Sequence, residues 1–261
     1  MVETMTDIPP STPVPSGGSS QPDARRAELA ENLTAVRQRI ADAVTASGTH
    51  QAPELIVVTK YFPAADVQRL YDLGVREVGE NKDQEASAKA LEVGSREGLR
   101  WHFIGQLQSN KAKSVLRYAD AVHSVDRTSL LKSLIKAATR ARQEGARSTD
   151  LECFIQVDLR QPVPADGRGG ADPGQIPALA EMITAAEGLR LAGLMAVAPL
   201  DEPAGPAFER LAALSQQLRS QHPEATGISA GMSQDLEAAV AHGATHLRIG
   251  RDVLGARPSP R

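Results

Sequence analysis

The run Leu55-Ile56-Val57-Val58-Thr59 is apolar and β-branched and ends on Lys60, whereas the other six lysines fall in stretches with helical or solvated character. An amine at the C-terminal end of a buried strand is partly desolvated. Burial disfavours the ammonium form, and the neutral amine is a nucleophile that can condense with an aldehyde to an imine. A snorkelling or ion-paired lysine at a strand end fits the same placement, so position alone leaves both open. Nearer the C-terminus, Ser229-Ala230-Gly231-Met232-Ser233 and Arg248-Ile249-Gly250-Arg251 each leave a strand and enter a helix. Backbone N–H groups and positive helix ends converge in such loops, and glycine allows close approach of an anion. Ordinary turn chemistry uses the same residue types. Two such loops with Arg251 beside them are what a phosphate site needs.

Positioning these groups requires strands that end at one place. Apolar, β-branched runs occur at 55–59, 75–79, 101–105, 121–125, 152–157, 189–197, 227–231 and 246–250. Segments of helical spacing lie between them, at 64–73, 82–91, 111–118, 128–144, 175–186, 207–219 and 234–242. Eight strands alternating with helices predict a closed parallel (β/α)8 barrel of the TIM type. Its first strand would lie beside its eighth, bringing Lys60 next to both glycine-bearing loops. An extra amphipathic helix precedes the barrel, with Leu29, Leu33, Val36, Ile40 and Val44 at three- and four-residue spacing and Gly48 as its stop. Residues 1–22 are rich in Pro, Ser, Thr and Gly and are expected to form a disordered tail, leaving 23–261 as one barrel domain. The Pro/Gly-rich stretch 161–174 follows the fifth strand, on the face where a barrel carries its active loops. It reads as a lid or as a tolerated insertion.

Composition narrows the function class. Hydrophobic residues make up 41% and charged ones 23% of 261 residues, as in a soluble globular protein. Net charge is -3, so nothing global attracts nucleic acid or an anionic membrane, and a phosphate site must be local. No apolar run approaches membrane-spanning length. Cys153 is the single cysteine and lies in an apolar run, which excludes an intramolecular disulfide and reads as a small buried hydrophobe. Met1 to Gln21 has neither a basic start nor an apolar stretch, so no secretory signal is expected and a cytoplasmic protein is.

Several segments together resemble one family. Val57-Val58-Thr59-Lys60, Gly79-Glu80-Asn81, the run from Trp101-His102-Phe103-Ile104-Gly105 through Gln106-Leu107-Gln108-Ser109-Asn110-Lys111, Gly193-Leu194-Met195, Gly231-Met232-Ser233-Gln234-Asp235 and Arg248-Ile249-Gly250 look like the signatures of the pyridoxal-phosphate homeostasis proteins. These are stand-alone relatives of the alanine racemase N-terminal barrel. The resemblance runs in order from about Leu29 to Arg257, broken by 161–174. It implies that Lys60 holds pyridoxal 5′-phosphate (PLP) as a Schiff base. Ser229, Gly231, Met232, Ser233, Gly250 and Arg251 would surround the phosphate, Arg248 would face the pyridine nitrogen, and Asn81 and His102 would line the pocket near the ring. A core imidazole with one hydrogen bond fits His102 equally. Two residues depart from the family pattern. Arg251 stands where a small hydroxylic residue is usual, and either adds a charge-assisted contact or swings away; Ala230 replaces a methionine.

The resemblance implies a carrier that buffers PLP in vitamin B6 homeostasis and passes it to apo-enzymes, with no metal and with a monomer as the expected state. The rival is a racemase-like PLP enzyme, which needs a base on each face of the substrate α-carbon. In alanine racemases an additional C-terminal domain supplies a tyrosine as the second base. Here the chain ends at Arg261 soon after the eighth strand, and only Tyr61 of the three tyrosines falls near the barrel mouth.

Overall fold

A computed structural model describes residues 23–49, 51–161 and 169–257. The tail expected at 1–22 and half of the stretch 161–174, read as a lid or an insertion, lie outside them. The chain opens with α1 (Ala24–Ser47), capped by Asp23, whose carboxylate accepts the Arg26 N–H at 3.1 Å, and ended by Gly48 at φ 67°. Leu29, Leu33, Val36, Ile40 and Ala43 form its buried stripe. Val44, expected there, is only partly buried at the stripe's edge.

Eight parallel strands follow and close on themselves in sequence order. They are β1 (Glu54–Val58), β2 (Glu77–Glu80), β3 (Arg100–Phe103), β4 (Ala121–Val125), β5 (Leu151–Gln156), β6 (Leu189–Met195), β7 (Gly227–Ser229) and β8 (His246–Ile249). Between and after them run α2 (Ala64–Asp72), α3 (Asp83–Val93), α4 (Ala112–Val115), α5 (Thr128–Gln143), α6 (Ile176–Thr184), α7 (Ala204–Gln221), α8 (Leu236–Ala241) and α9 (Arg251–Leu254). The barrel closes between β1 and β8, where Glu54 pairs with His246 and Val57 with Ile249. This register brings the end of β1, with Lys60 just beyond it, beside Gly250.

Strands covered on both faces read as near-continuous apolar runs, and the pattern holds for most of them. Their outer faces meet the helices in one large core that includes Val57, Val78, Phe103, Val122, Ile155 and Leu194. α1 lies against α8 and α9, tied by Asn32 Nδ2 to the Val253 carbonyl at 3.1 Å and by Arg39 to Glu237 at 2.5 Å. Five strands, β2, β3, β6, β7 and β8, are shorter than their apolar runs. β6 stops at Met195, β7 at Ser229 and β8 at Ile249, because each chain then turns outward to the mouth. At β7 this turn uses Gly231 at φ 93°, a left-handed conformation that a side chain disfavours. The helix expected at 111–118 is a short turn at Ser109–Lys111 followed by the four residues of α4. After β5, Ala171 returns to bridge Val157, and Asp172 caps the next turn. No helix among the described residues is long and apolar enough to cross a membrane.

Candidate functional site

Lys60 stands at the second position of a tight turn at the mouth of the barrel. Its first residue, Thr59, accepts the N–H of Phe62 at 3.1 Å, and its third, Tyr61, has φ 71°. Lys60 is half-buried. Its Nζ lies 5.9 Å from the centre of the Tyr61 ring, and among the described residues it makes no ion pair. Lys82 Nζ at 5.8 Å and the Arg257 guanidinium at 4.8 Å face the same ring. The mouth beside Lys60 is therefore positive, which favours an anionic ligand.

The loops after β7 and β8 form the neighbouring wall. Met232 and Arg251 are exposed and Ser233 and Gly250 are half-buried. The backbone N–H groups of Ser233, Gln234, Arg251 and Asp252 have no acceptor among the described residues. A Cβ on Gly231 would lie 2.6 Å from the Ala239 Cβ, and one on Gly250 would lie 3.2 Å from the Val58 carbonyl oxygen. These glycines let the two loops settle closely onto the barrel. On the other side of Lys60, at the end of β2, Asn81 keeps its Oδ1 buried and without a hydrogen bond. Free amide donors, a half-buried amine and an orphaned amide oxygen fit a phosphorylated, ring-bearing aldehyde.

Below the mouth the barrel interior is polar. Arg248 is 5% exposed and donates from Nη1 to Ser229 Oγ at 2.6 Å and from Nη2 to the Ala196 carbonyl at 2.9 Å. Its Nε–H has no partner among the described residues, so it can meet a ring nitrogen. Ser229 Oγ lies 2.8 Å from His123 Nδ1, His123 Nε2 lies 2.8 Å from His102 Nδ1, and His102 Nε2 meets Glu77. An arginine only donates and an ionised carboxylate only accepts. The assignment in which every member between them does both runs one way, from Arg248 through Ser229, His123 and His102 to Glu77. Burial above all, with the Arg248 charge acting in the same direction, holds His123 well below the usual imidazole range, as a neutral ring must be. Burial lowers Arg248 only to about 10, so the guanidinium keeps its charge at neutral pH. At the far end Glu152 binds Arg100 at 2.6 Å and Arg190 at 2.5 Å, closing the bottom of the barrel with charge.

The residues singled out in the sequence thus fall into two groups. Lys60, Asn81, Gly231, Met232, Ser233, Gly250 and Arg251 belong to strand ends and loops at the mouth. His102 and Ser229 lie inside, at 1% and 0% exposure, joined to each other through His123 and, for Ser229, to Arg248. Sequence reasoning missed His123, Glu77 and the buried Glu80 and Lys89. The available signal was polarity inside buried runs: His123-Ser124 interrupts β4, and Glu80 ends β2. Cavities of about 480 and 340 Å3 also open at the mouth, the first lined in part by Asn81, Lys82 and Lys111, the second by Gln156, Val197 and Leu200.

Residues 28–258 match the family model for the alanine racemase N-terminal domain. The pyridoxal phosphate homeostasis protein of Mycobacterium bovis is 43% identical over 253 residues, covering 92% of this chain and 96% of its own. That of Corynebacterium glutamicum is 42% identical over 217 residues, covering 80% and 94%. The chain belongs to the pyridoxal phosphate homeostasis protein family. PipY of Synechococcus elongatus PCC7942, whose structure is known both with PLP bound and without it, is similar at 31% identity and a TM-score of 0.72, over 87% of this chain and 100% of its own. The relay in this homeostasis-protein barrel descends the interior from Arg248, below the mouth, to Glu77 at the start of β2. Among its described residues no group of three His, Cys, Asp or Glu is arranged to hold a metal. Its one cysteine, Cys153, is buried, and burial pushes the thiol up to about 12, which makes it an inert hydrophobe.

Proposed function

We propose that this chain holds PLP on Lys60 and serves as a carrier and buffer of the cofactor rather than as an enzyme. The observation that carries this is the half-buried Lys60 amine, presented on a tight turn next to two loops with free backbone donors, in a chain of this family. PLP when bound supplies an aldehyde that a primary amine captures reversibly. Lys60 provides the amine. The backbone groups around Ser233 and Arg251 receive the phosphate, Arg248 turns its Nε–H to the ring nitrogen, and Asn81 borders the ring. Ser229, His123 and His102 act from below by fixing Arg248. Because capture by an amine is undone by exchange with another amine, the same site can keep free PLP low and release it to apo-enzymes. An absorbance spectrum of the purified protein with PLP, borohydride reduction and peptide mapping test the reading together. The pyridoxyl label is expected on the peptide containing Lys60, and Lys60→Ala is expected to fold and lose the yellow absorbance. A label on Lys82 or Lys111 would refute the assignment.

A further inference from the structure

The two peptide groups that flank Lys60 end on one cluster built around the buried ammonium of Lys89. Lys89 of α3 is 5% exposed, and its ammonium donates three hydrogen bonds: to the Thr59 carbonyl at 2.8 Å, to Glu80 Oε1 at 2.6 Å and to Glu85 Oε1 at 3.1 Å. Glu80 Oε1 also accepts the Thr59 hydroxyl at 2.6 Å, and Glu85 Oε1 accepts the N–H of Tyr61 at 2.5 Å. The peptide oxygen before Lys60 and the peptide N–H after it are therefore clamped through one ammonium. The turn between them is of type II, whose third position favours glycine, yet Tyr61 occupies it at φ 71°. Left to itself, a tyrosine would leave the left-handed region and carry Lys60 with it. Burying an ion pair gains little stability, because desolvation offsets most of the attraction. Stability alone does not explain a charged cluster aimed at the two peptides around a single residue.

We propose that Glu85 and Lys89 are positioning residues for Lys60, holding the strained turn so that the amine points at an aldehyde seated on the loops after β7 and β8. The inference rests on the reading of Lys60 given above. It concerns capture of the aldehyde and not recognition of ring or phosphate. PLP and pyridoxine 5′-phosphate, which carries a hydroxymethyl group in place of the aldehyde, separate the two. Equilibrium binding of both ligands is measured on the full chain, on Glu85→Ala and on Glu85→Ala with Tyr61→Gly. Glu85→Ala is expected to lose about tenfold in PLP affinity, ~1.4 kcal/mol, with binding of pyridoxine 5′-phosphate unchanged. Tyr61→Gly in the same chain is expected to restore most of the loss, since glycine takes a positive φ without strain. Tyr61→Val attacks the turn with little risk to the fold. Tyr61 is 40% exposed, so little packing is lost, but a β-branched residue resists φ 71° and the same selective loss is expected. Equal losses for both ligands, no loss for either, or failure of the glycine to rescue would overturn the proposal. A native chain that does not take up PLP, or a Lys60→Ala chain that binds it as the native does, would instead refute the reading of Lys60.

Discussion

At Arg248 a guanidinium sits in the barrel interior, with its hydrogen bonds to Ser229 and Ala196 as partial replacement for water. The relay beneath it depends on His123 staying neutral, and this has a measurable consequence. Burial holds His123 well below its ordinary value and lowers His246 to about 4, against 6.5 for a free imidazole. Both residues are then neutral in the folded chain while the unfolded chain takes up protons below about 6.5. Stability is fully present above that pH and falls as pH drops toward 4, each histidine contributing a slope of up to ~1.4 kcal/mol per pH unit. In urea unfolding across pH 7.5 to 4.5, His123→Phe, which keeps an aromatic ring against Phe154, is expected to flatten the slope by about one histidine. An unchanged slope would mean that His123 titrates normally in the folded state. Lys60 was legible in the sequence because a cation at the end of an apolar strand is conspicuous, whereas Arg248, inside the run 246–250, drew its role from the family resemblance. His123 was not. It sits within a strand, and its partner Ser229 lies 106 residues away.

The loops after β7 and β8 carry the phosphate reading at the scale of elements. Charge-assisted hydrogen bonds contribute roughly 1.5–3 kcal/mol each. PLP is therefore expected to bind about ten- to a hundredfold more tightly than pyridoxal, which lacks the phosphate. Ser233→Ala should weaken PLP modestly. Gly250→Asp should weaken it severely, since a Cβ there crowds Val58 and the new carboxylate faces the phosphate. Titration of both ligands against the three chains measures this, and equal affinity of the native chain for PLP and pyridoxal would remove the phosphate site. Most elements were readable because their periodicity is strong: 121–125 and the start of α5 at Thr128 agree with the structure residue for residue. The clamp on Thr59 and Tyr61 was hidden. It is built by side chains from β2 and α3, and its left-handed turn carries a tyrosine where the sequence signal would have been a glycine.

At the scale of the whole molecule, the barrel presents Lys60 on its mouth turn beside the loops after β7 and β8 and keeps His102, His123 and His246 away from it. His102 and His123 lie sealed inside the strands, and His246 opens the eighth strand at the opposite end from Lys60. Of the tyrosines, Tyr71 and Tyr118 belong to the outer helical layer, Tyr71 donating to the Glu97 carbonyl. That leaves Tyr61, whose backbone is fixed by Glu85 and whose ring is turned toward three cations. Amino-acid chemistry on PLP needs an electron-poor ring and, for racemisation, a base on each face of the substrate. If PLP sits as proposed, with its ring nitrogen toward the charged Arg248, that nitrogen would stay unprotonated and withdraw electrons weakly. General acid–base assistance contributes about 10²–10⁴-fold, so a site with a single well-placed base is left with slow residual activity. Incubation of the PLP-loaded protein with L-alanine or L-serine in deuterium oxide, followed by NMR and chiral chromatography, is expected to show little α-proton exchange and no opposite enantiomer at a useful rate. Rapid racemisation of either amino acid, abolished by Lys60→Ala, would reverse the conclusion: Tyr61 would then have to be the second base, and the cluster around Glu85 and Lys89 would be holding a catalytic pair instead of a carrier's single amine.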